Sequence, residues 1–396
     1  MGNSGVDGKK RNWRSIMHLK SLTYAQNEEQ PTQWRLFDLS LGRVNLLVGK
    51  NATGKSRTLS VIVGLAKLLS STVRLTFISG NYNATFDNEG DTLNYNLHFE
   101  QSKVVSERFV KNGDELLERG ADGAGRIWVE KQKGFMEFQT PENQLAAVVR
   151  QDSIQHSFLA PLRQWAQSLY FYPFGTPLGK DHFIVKVNDP HAPFDPKDSS
   201  KVIAIFKRGL QQFSERFKQS IMEDMARIGY PLDDISIQPP SSVIIGGFPG
   251  PVIGLCVKER TLAGVTDQMD MSQGMFRALS VIIQIAYAQM SDTATSILID
   301  DIGEGLDFER SCELIRLLTD KAIRSKVQLI VATNDRFVMN TVPLEAWSVL
   351  KRSGGDSRVF NYTNSKAKFD EFKFTGMNNF DFFAVDFLSD EKSLEK

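Results

Sequence analysis

The sequence predicts an α/β fold with a mixed central sheet, an antiparallel β subdomain and a helical insertion. The first observation is a glycine-rich turn at residues 49–56 that follows an apolar strand and precedes a segment of helical period. The second is that strands and helices alternate again after the Pro/Gly-rich stretch 238–251. Two α/β lobes are therefore expected, with β and helical segments inserted between them.

The N-terminal lobe begins with three predicted strands. Residues 16–24 and 36–41 alternate apolar and polar side chains, as half-buried strands do, and 44–48 form the apolar run of a central strand. Apolar residues then recur at helical spacing within 57–71. The glycine-rich turn therefore lies between a strand and a helix.

Residues 49–56 match the pattern G-x-x-x-x-G-K-[ST] of a phosphate-binding loop. In such loops backbone N–H groups surround phosphate oxygens, Lys55 reaches the β- and γ-phosphates, and Ser56 offers its hydroxyl to Mg²⁺. The alternative is a glycine-rich turn without a ligand, which the flanking strand and helix disfavour. The predicted nucleotide-binding residues are Gly49, Lys50, Asn51, Ala52, Thr53, Gly54, Lys55, Ser56 and Arg57.

The middle of the chain changes in character twice. Short alternating segments broken by Asn, Asp and Gly predict an antiparallel β region over 73–138. Residues 141–170 and 199–230 are interpreted as two helical stretches. The second does not sustain a heptad, so core packing is favoured over a coiled-coil arm.

The C-terminal lobe returns to strand and helix alternation. Predicted strands cover 252–257, 296–299, 327–332 and 347–350, and predicted helices begin at Ser272 and cover 308–323.

A second carboxylate-bearing strand completes the predicted magnesium site. Residues 296–299 are mostly apolar and end in Asp300 and Asp301. Asp300 is expected to bind Mg²⁺ directly or through water, and Asp301 lies where a base orients an attacking water. An acidic turn is the alternative, and the phosphate loop upstream disfavours it.

Ser272, Gln273 and Gly274 open the helix that precedes this strand. Serine is a good N-cap, and the free N–H groups of a helix start attract anions. Capping alone would also explain this serine.

Together these motifs resemble the head of an ABC-type P-loop ATPase. Residues 45–56 and 299–307 resemble more closely the bacterial ATPases grouped with structural-maintenance-of-chromosomes and overcoming-lysogenization-defect proteins, some of which serve in anti-phage defence. The likeness covers about 40–70 and 250–350. It implies an ATPase that uses ATP and Mg²⁺, held by Ser56 and Asp300.

The resemblance also implies that ATP is bound between two heads. Ser272, Gln273 and Gly274 of one chain would then contact the γ-phosphate on another, with Asp307 in the interface loop. The expected partner is a second copy of the chain, in a head-to-head dimer or a higher oligomer built from dimers.

Two departures from the family pattern favour slow turnover. Asp301 stands where glutamate is usual, and its carboxylate is one methylene shorter, so Glu304 is the alternative base. Asn334 stands where a histidine senses the γ-phosphate, and an amide cannot take up a proton.

The domain division expected from these features has four parts. They are an N-terminal ATPase lobe with the antiparallel region at 15–140, a helical insertion at 141–237, a C-terminal ATPase lobe at 238–362 and an aromatic-rich tail at 363–396. Only 47 residues follow Val349 (396 − 349), too few for the nuclease of this group, so we expect the ATPase half alone.

By resemblance, the function expected first is a dimerising, nucleotide-gated switch controlling a separately encoded effector, such as a nuclease or toxin, in phage defence. The alternatives are a repair or recombination ATPase acting directly on DNA, and a scaffold that binds ATP and barely hydrolyses it. Forty-seven basic and 47 acidic residues cancel, so DNA contact would need a local patch. The candidate patches are Lys9, Lys10, Arg11 and Arg14, and Lys201, Lys207, Arg208, Arg216 and Lys218.

Residues 1–14 show no apolar signal segment and no stretch is long enough to span a bilayer, so a cytoplasmic protein without membrane contact is expected. The tail carries seven phenylalanines between 369 and 388, interleaved with acids. Such density demands burial, either on this chain's own head or on a partner.

Overall fold

A computed structural model describes residues 17–73, 75, 78–185, 194–241 and 250–388. The basic patch at residues 9–14 and part of the Pro/Gly-rich stretch lie outside these residues. Within the described part of the chain, no helix combines the length and hydropathy needed to cross a bilayer.

The strands form one large mixed sheet and one small antiparallel sheet. The strands are β1 Met17–Gln26, β2 Trp34–Ser40, β3 Val44–Val48, β4 Ser79–Asn88, β5 Asp91–Glu100, β6 Lys103–Lys111, β7 Asp114–Arg119, β8 Ala124–Val129, β9 Gly134–Gln139, β10 Leu169–Pro173, β11 Ile184–Val185, β12 Leu232–Gln238, β13 Val252–Glu259, β14 Thr266–Asp267, β15 Ser296–Asp300, β16 Gln328–Ala332, β17 Trp347–Ser353 and β18 Asp356–Asn361.

The large sheet has the order β10-β15-β16-β3-β17-β18-β2-β1-β4-β5-β6-β7-β8-β9. Its first five strands are parallel, so their carboxyl ends meet at one edge. From β1 through β9 the pairs are antiparallel, which confirms the predicted antiparallel β region. The mixed central sheet is confirmed as well.

Nine α-helices lie in the described residues. They are α1 Lys55–Leu69, α2 Ala146–Val149, α3 Ala160–Gln167, α4 Val202–Arg227, α5 Gln273–Met290, α6 Phe308–Ser325, α7 Arg336–Thr341, α8 Lys366–Lys373 and α9 Asn379–Ala384.

The sheet separates two hydrophobic cores, and successive side chains of β3 face opposite ones. Leu47 faces the core that contains the buried side chains of α1 and α3. Leu46 and Val48 face the opposite core, which contains those of α4, α5 and α6. Alternation of side chains along a strand places both cores directly beside the phosphate loop.

The prediction that 141–170 is helical is wrong for much of its length. This stretch holds only α2, a 3₁₀ turn at Ser157–Leu159 and α3, and it ends in β10, which pairs in parallel with β15. The aromatic run 169–173 is apolar enough for a strand, and its partner lies more than 120 residues away. The second stretch is helical as predicted, although Ser214 inside α4 has non-helical backbone angles.

The aromatic tail packs on the head of its own chain. Phe369, Phe372 and Phe382 are buried in the core on the α5 side of the sheet. The Phe382 ring lies 6.5 Å from the Trp347 ring, centroid to centroid. The docking alternative is therefore correct for these phenylalanines, whereas Phe374 is 91% exposed.

Candidate nucleotide-binding site

The phosphate loop joins β3 to α1 at the carboxyl edge of the parallel strands. Lys55 is buried, and its Nζ donates hydrogen bonds to the carbonyl oxygens of Gly49, at 2.7 Å, and Lys50, at 3.3 Å. Burial lowers the pKa of Lys55, and attraction to Asp301 and Asp300 offsets part of this effect. The ammonium group is thus fixed in the loop beside two carboxylates.

The shape of the loop depends on its glycines. A Cβ on Gly49 would lie 2.5 Å from Thr53 Oγ1 and 2.8 Å from Leu350 O, closer than real atoms approach. Gly54 has φ of 106° and caps α1, in a backbone region that favours glycine. Both positions of the motif are therefore required by the geometry.

Backbone N–H groups at the start of α1 are available to an anion. The Thr58 N–H bonds to Gly54 O, at 2.8 Å, in the first turn of the helix. Lys55, Ser56 and Arg57 precede it, so their N–H groups have no partner within the helix. Such a helix start is suited to bind phosphate oxygens.

Two oxygen ligands suited to Mg²⁺ meet at this edge. Ser56 Oγ donates to Asp300 Oδ1 at 3.1 Å, although 244 residues separate them in sequence. Burial raises the pKa of Asp300, whereas the Ser56 hydrogen bond and the Lys55 charge oppose the rise. Hydroxyl and carboxylate oxygens are the donors that Mg²⁺ prefers, so these residues fit the ion.

Asp301 and Glu304 lie together beyond the end of β15. A Cβ built on Gly175 would come within 2.8 Å of Glu304 Oε2 and 3.3 Å of Asp301 Oδ2. Both carboxylates therefore border the same space beside Gly175, which follows β10. Asp301 has φ of 54°, in the left-handed region that aspartate tolerates better than most residues.

Asn334 follows β16, the strand between β15 and β3, and its side chain is exposed. The preceding residue, Thr333, donates its N–H to Leu47 O at 3.2 Å and its hydroxyl to Ile302 O at 2.9 Å. The amide is thus positioned on the edge that carries the phosphate loop and the acidic pair.

The start of α5 contacts the loop after β15. Ser272 Oγ accepts a hydrogen bond from Met275 N–H at 3.2 Å, as an N-cap does, and Gln273 is the first residue of the helix. A Cβ on Gly274 would lie 2.2 Å from Gly305 O. Ser272 and Gln273 themselves are exposed.

Asp307 caps α6 at the end of the same loop. Its Oδ1 accepts the Arg310 N–H at 3.0 Å, and its carboxylate also pairs with the Arg310 side chain. These contacts hold the pKa of Asp307 below its ordinary value, with the backbone hydrogen bond as the largest cause. Asp307 is therefore a charged group at the surface beside Gly305.

Arg277 is a site residue that the sequence reasoning missed. Its guanidinium donates to the carbonyl oxygens of Thr176 at 3.0 Å, Gly175 at 3.0 Å and Glu304 at 2.9 Å. It thereby ties α5 to the loops after β10 and β15. Its position five residues after Ser272 is a sequence signal that could have indicated it. Its hydrogen-bond partners lie about 100 and 27 residues away in sequence, so the motif alone does not predict these contacts.

Comparison with known proteins rests on structure. No protein-family model matches the sequence, and no curated protein matches it. One similar structure is an SMC head bound to the C-terminal winged-helix domain of ScpA, with a TM-score of 0.52 and 14% identity over 87% of this chain and 97% of that one. The chain has the fold of an SMC head domain.

Two further structures resemble this SMC-head fold at lower TM-scores. An Smc head from Pyrococcus furiosus with an extended coiled coil, bound to the C-terminal domain of ScpA, has a TM-score of 0.49 and 12% identity over 90% of this chain and all of that one. CbiO1 from Clostridium perfringens, part of an ABC transporter complex, has a TM-score of 0.37 and 12% identity over 87% of each chain.

Proposed function

We propose that this chain binds and hydrolyses ATP and acts as a dimerising, nucleotide-gated switch. The observation that carries the proposal is the 3.1 Å hydrogen bond from Ser56 to Asp300, beside the buried ammonium of Lys55. It unites the phosphate loop with the carboxylate strand in an SMC-head fold. A phosphate loop and a carboxylate side by side at one sheet edge are what a magnesium-dependent triphosphate site requires, which supports the proposal.

The position of each site residue indicates its proposed role in binding or hydrolysis. Lys55 and the N–H groups at the start of α1 bind the β- and γ-phosphate oxygens. Ser56 and Asp300 would hold Mg²⁺, which neutralises the charge that develops on those oxygens. Asp301 or Glu304 orients the attacking water and accepts its proton, since both border the space beside Gly175.

The same geometry favours slow turnover. The Asp301 carboxylate is one methylene shorter than that of glutamate, and a misplacement of about 1 Å can cost on the order of a hundredfold in rate. Asn334 can donate a hydrogen bond to a phosphate but cannot exchange a proton with it. A long-lived ATP state suits a switch better than a motor.

The exposed start of α5 supports the proposed dimerisation. Among the described residues, Ser272 bonds to Met275 and Tyr230, and its surface is exposed. Asn51 and Ala52 of the phosphate loop are exposed as well. Two copies meeting through these surfaces would place the start of α5 from one chain over the phosphate loop of the other.

The output of the switch is proposed to be a separately encoded effector in bacterial phage defence. The resemblance of residues 45–56 and 299–307 supports this role, and the similar SMC head bound to a ScpA domain offers a precedent for partner binding. Cells that carry the gene with its genomic neighbours should resist phage, and Lys55→Ala should abolish resistance. Equal plating of phage on both strains would contradict the role.

Nucleotide binding is tested with Lys55→Ala and a control on the same helix. Replacing the buried ammonium should abolish ATP binding in calorimetry, because a methyl group cannot face two phosphates. Lys67→Ala, exposed in the last turn of α1, should bind ATP like the wild type. An unchanged ATP dissociation constant in Lys55→Ala would refute the site.

Hydrolysis is tested separately from binding. Phosphate release by the wild type should exceed that of Asp300→Asn under saturating ATP and Mg²⁺. A wild-type rate no higher than that of Asp300→Asn would leave an ATP-bound scaffold instead of an enzyme.

A further inference from the structure

Beside the phosphate loop, the guanidinium of Arg57 lies over the ring of Trp34. Arg57 directly follows Ser56, and its guanidinium carbon is 4.4 Å from the centroid of the Trp34 ring. Trp34 is the first residue of β2 and is fully buried, whereas Arg57 is half-buried. Trp34 is therefore held in the core, while part of the Arg57 side chain is accessible to solvent.

The indole is fixed to the phosphate loop itself. Trp34 Nε1–H donates to Ser357 Oγ at 2.9 Å, and Ser357 Oγ donates to Thr53 O at 2.8 Å. A Cβ on Gly54 would lie 3.2 Å from Trp34 Cζ2. The ring cannot move without moving the loop that binds phosphate.

The order of the strands shows which end of a nucleotide this pair faces. Asp300, on β15, lies two strands to one side of β3, and the metal-bound γ end of the triphosphate must point there. Trp34, on β2, lies three strands to the other side of β3. The nucleoside must extend toward the latter side.

The charge of Arg57 is not neutralised locally. In the described part of the chain, no carboxylate lies within ion-pair distance of its guanidinium. Burial lowers the pKa of Arg57, attraction to Tyr24 opposes this, and repulsion from Arg352 adds to it. Arg352 is held in place, because its Nη1 donates to Ala52 O at 3.1 Å. A planar cation in this state is well suited to cover the face of an aromatic ring.

We propose that Arg57, supported from below by Trp34, is the stacking surface for the base of the bound nucleoside triphosphate. This assignment rests on the proposed nucleotide site and specifies its substrate class. Stacking on a guanidinium plane uses the π-face that every base has, without reading its edge. The site therefore does not distinguish adenine from guanine, and ATP and GTP should bind with similar affinity.

The test compares Mg²⁺ complexes of ATP, GTP and inorganic tripolyphosphate in binding calorimetry. Arg57→Lys keeps the charge and loses the plane. It should weaken ATP and GTP by about 5- to 150-fold, the usual range for losing one stacked base, while tripolyphosphate changes less than about twofold. Wild-type affinities for ATP and GTP should agree within about threefold.

Arg358→Lys is the matched control. Its guanidinium also stacks on an aromatic ring, that of Phe37, at 4.9 Å, and it lies on β18, beside β2. This substitution should change none of the three affinities. Thermal unfolding of both variants near the wild-type midpoint verifies that each is folded.

Three results would overturn the stacking assignment. Equal weakening of tripolyphosphate and ATP in Arg57→Lys would make Arg57 a phosphate ligand. Unchanged ATP binding would remove it from the site, and a preference of more than about tenfold between ATP and GTP would require edge recognition. A wild-type chain that binds neither ATP nor tripolyphosphate would instead refute the proposed nucleotide-binding function, on which the stacking assignment rests.

Discussion

Replacing Gly274 by alanine tests the packing between α5 and the loop after β15. The added Cβ would lie 2.2 Å from Gly305 O and 3.0 Å from Leu306 Cδ2. Carbon and carbonyl oxygen normally stay at least about 3.3 Å apart, so the loop must move by about 1 Å. Asp301 and Glu304 belong to this loop.

The magnitude follows from that displacement. Overpacking lowers the free energy of unfolding by about 1–3 kcal/mol, and the higher helix propensity of alanine offsets up to about 1 kcal/mol of this loss. With the full offset, we expect a net loss of up to about 2 kcal/mol in the free energy of unfolding without nucleotide. A shift of about 1 Å at the reacting groups should lower ATP hydrolysis on the order of a hundredfold, while ATP still binds the phosphate loop.

The assay measures phosphate release at saturating ATP and Mg²⁺, ATP affinity by calorimetry, and denaturant unfolding of the nucleotide-free chain. Gly264→Ala is the control, since a Cβ there would meet nothing within 4 Å. It should match the wild type in all three. Gly274→Ala with wild-type hydrolysis and wild-type unfolding would refute the reasoning.

Two further predictions concern stability. Because burial raises the pKa of Asp300, its ionised form costs folded-state stability, so Asp300→Asn should raise the unfolding midpoint of the nucleotide-free chain near pH 7. The gain should shrink as pH falls through the raised pKa and should vanish toward about pH 3, below the ordinary aspartate pKa of about 3.9, where the carboxyl is protonated in both states. A gain independent of pH, or a loss near pH 7, would contradict this sign. Phe382→Ala should cost about 3–5 kcal/mol in denaturant unfolding, because this tail side chain is buried against the head, whereas Phe374→Ala, 91% exposed, should cost no more than about 0.5 kcal/mol. Equal costs at Phe374 and Phe382 would mean that the tail is not docked as described.

The sequence predicts the local elements of this fold correctly where the hydrophobic pattern and the length of the segment indicate the same structure. The strand 44–48, the helix after Lys55 and the strand ending at Asp300 each carry a clear period or apolar run. The aromatic run of β10 was absorbed into a predicted helix, because five apolar residues fit either structure and the pairing with β15 decides.

The sequence predicts only those residues of the candidate site that belong to known motifs. Ser56 and Asp300 belong to known patterns, and the structure brings them together. Arg277 and Trp34 belong to none, and their contacts depend on tertiary packing across about 100 and 323 residues. No periodicity encodes such a contact, so positioning residues of this kind appear only once the chain is folded.

The central claim is that two chains share each ATP, and mixing two inactive variants tests it most directly. Lys55→Ala lacks the phosphate-loop cation and Ser272→Arg blocks the start of α5, so either variant alone should be inactive. Random pairing of equal amounts makes half the dimers mixed, each with one intact site of two, so the mixture should regain up to about a quarter of the wild-type ATPase rate. Full activity of Ser272→Arg alone, or a mixture no more active than its separate components, would contradict the shared site.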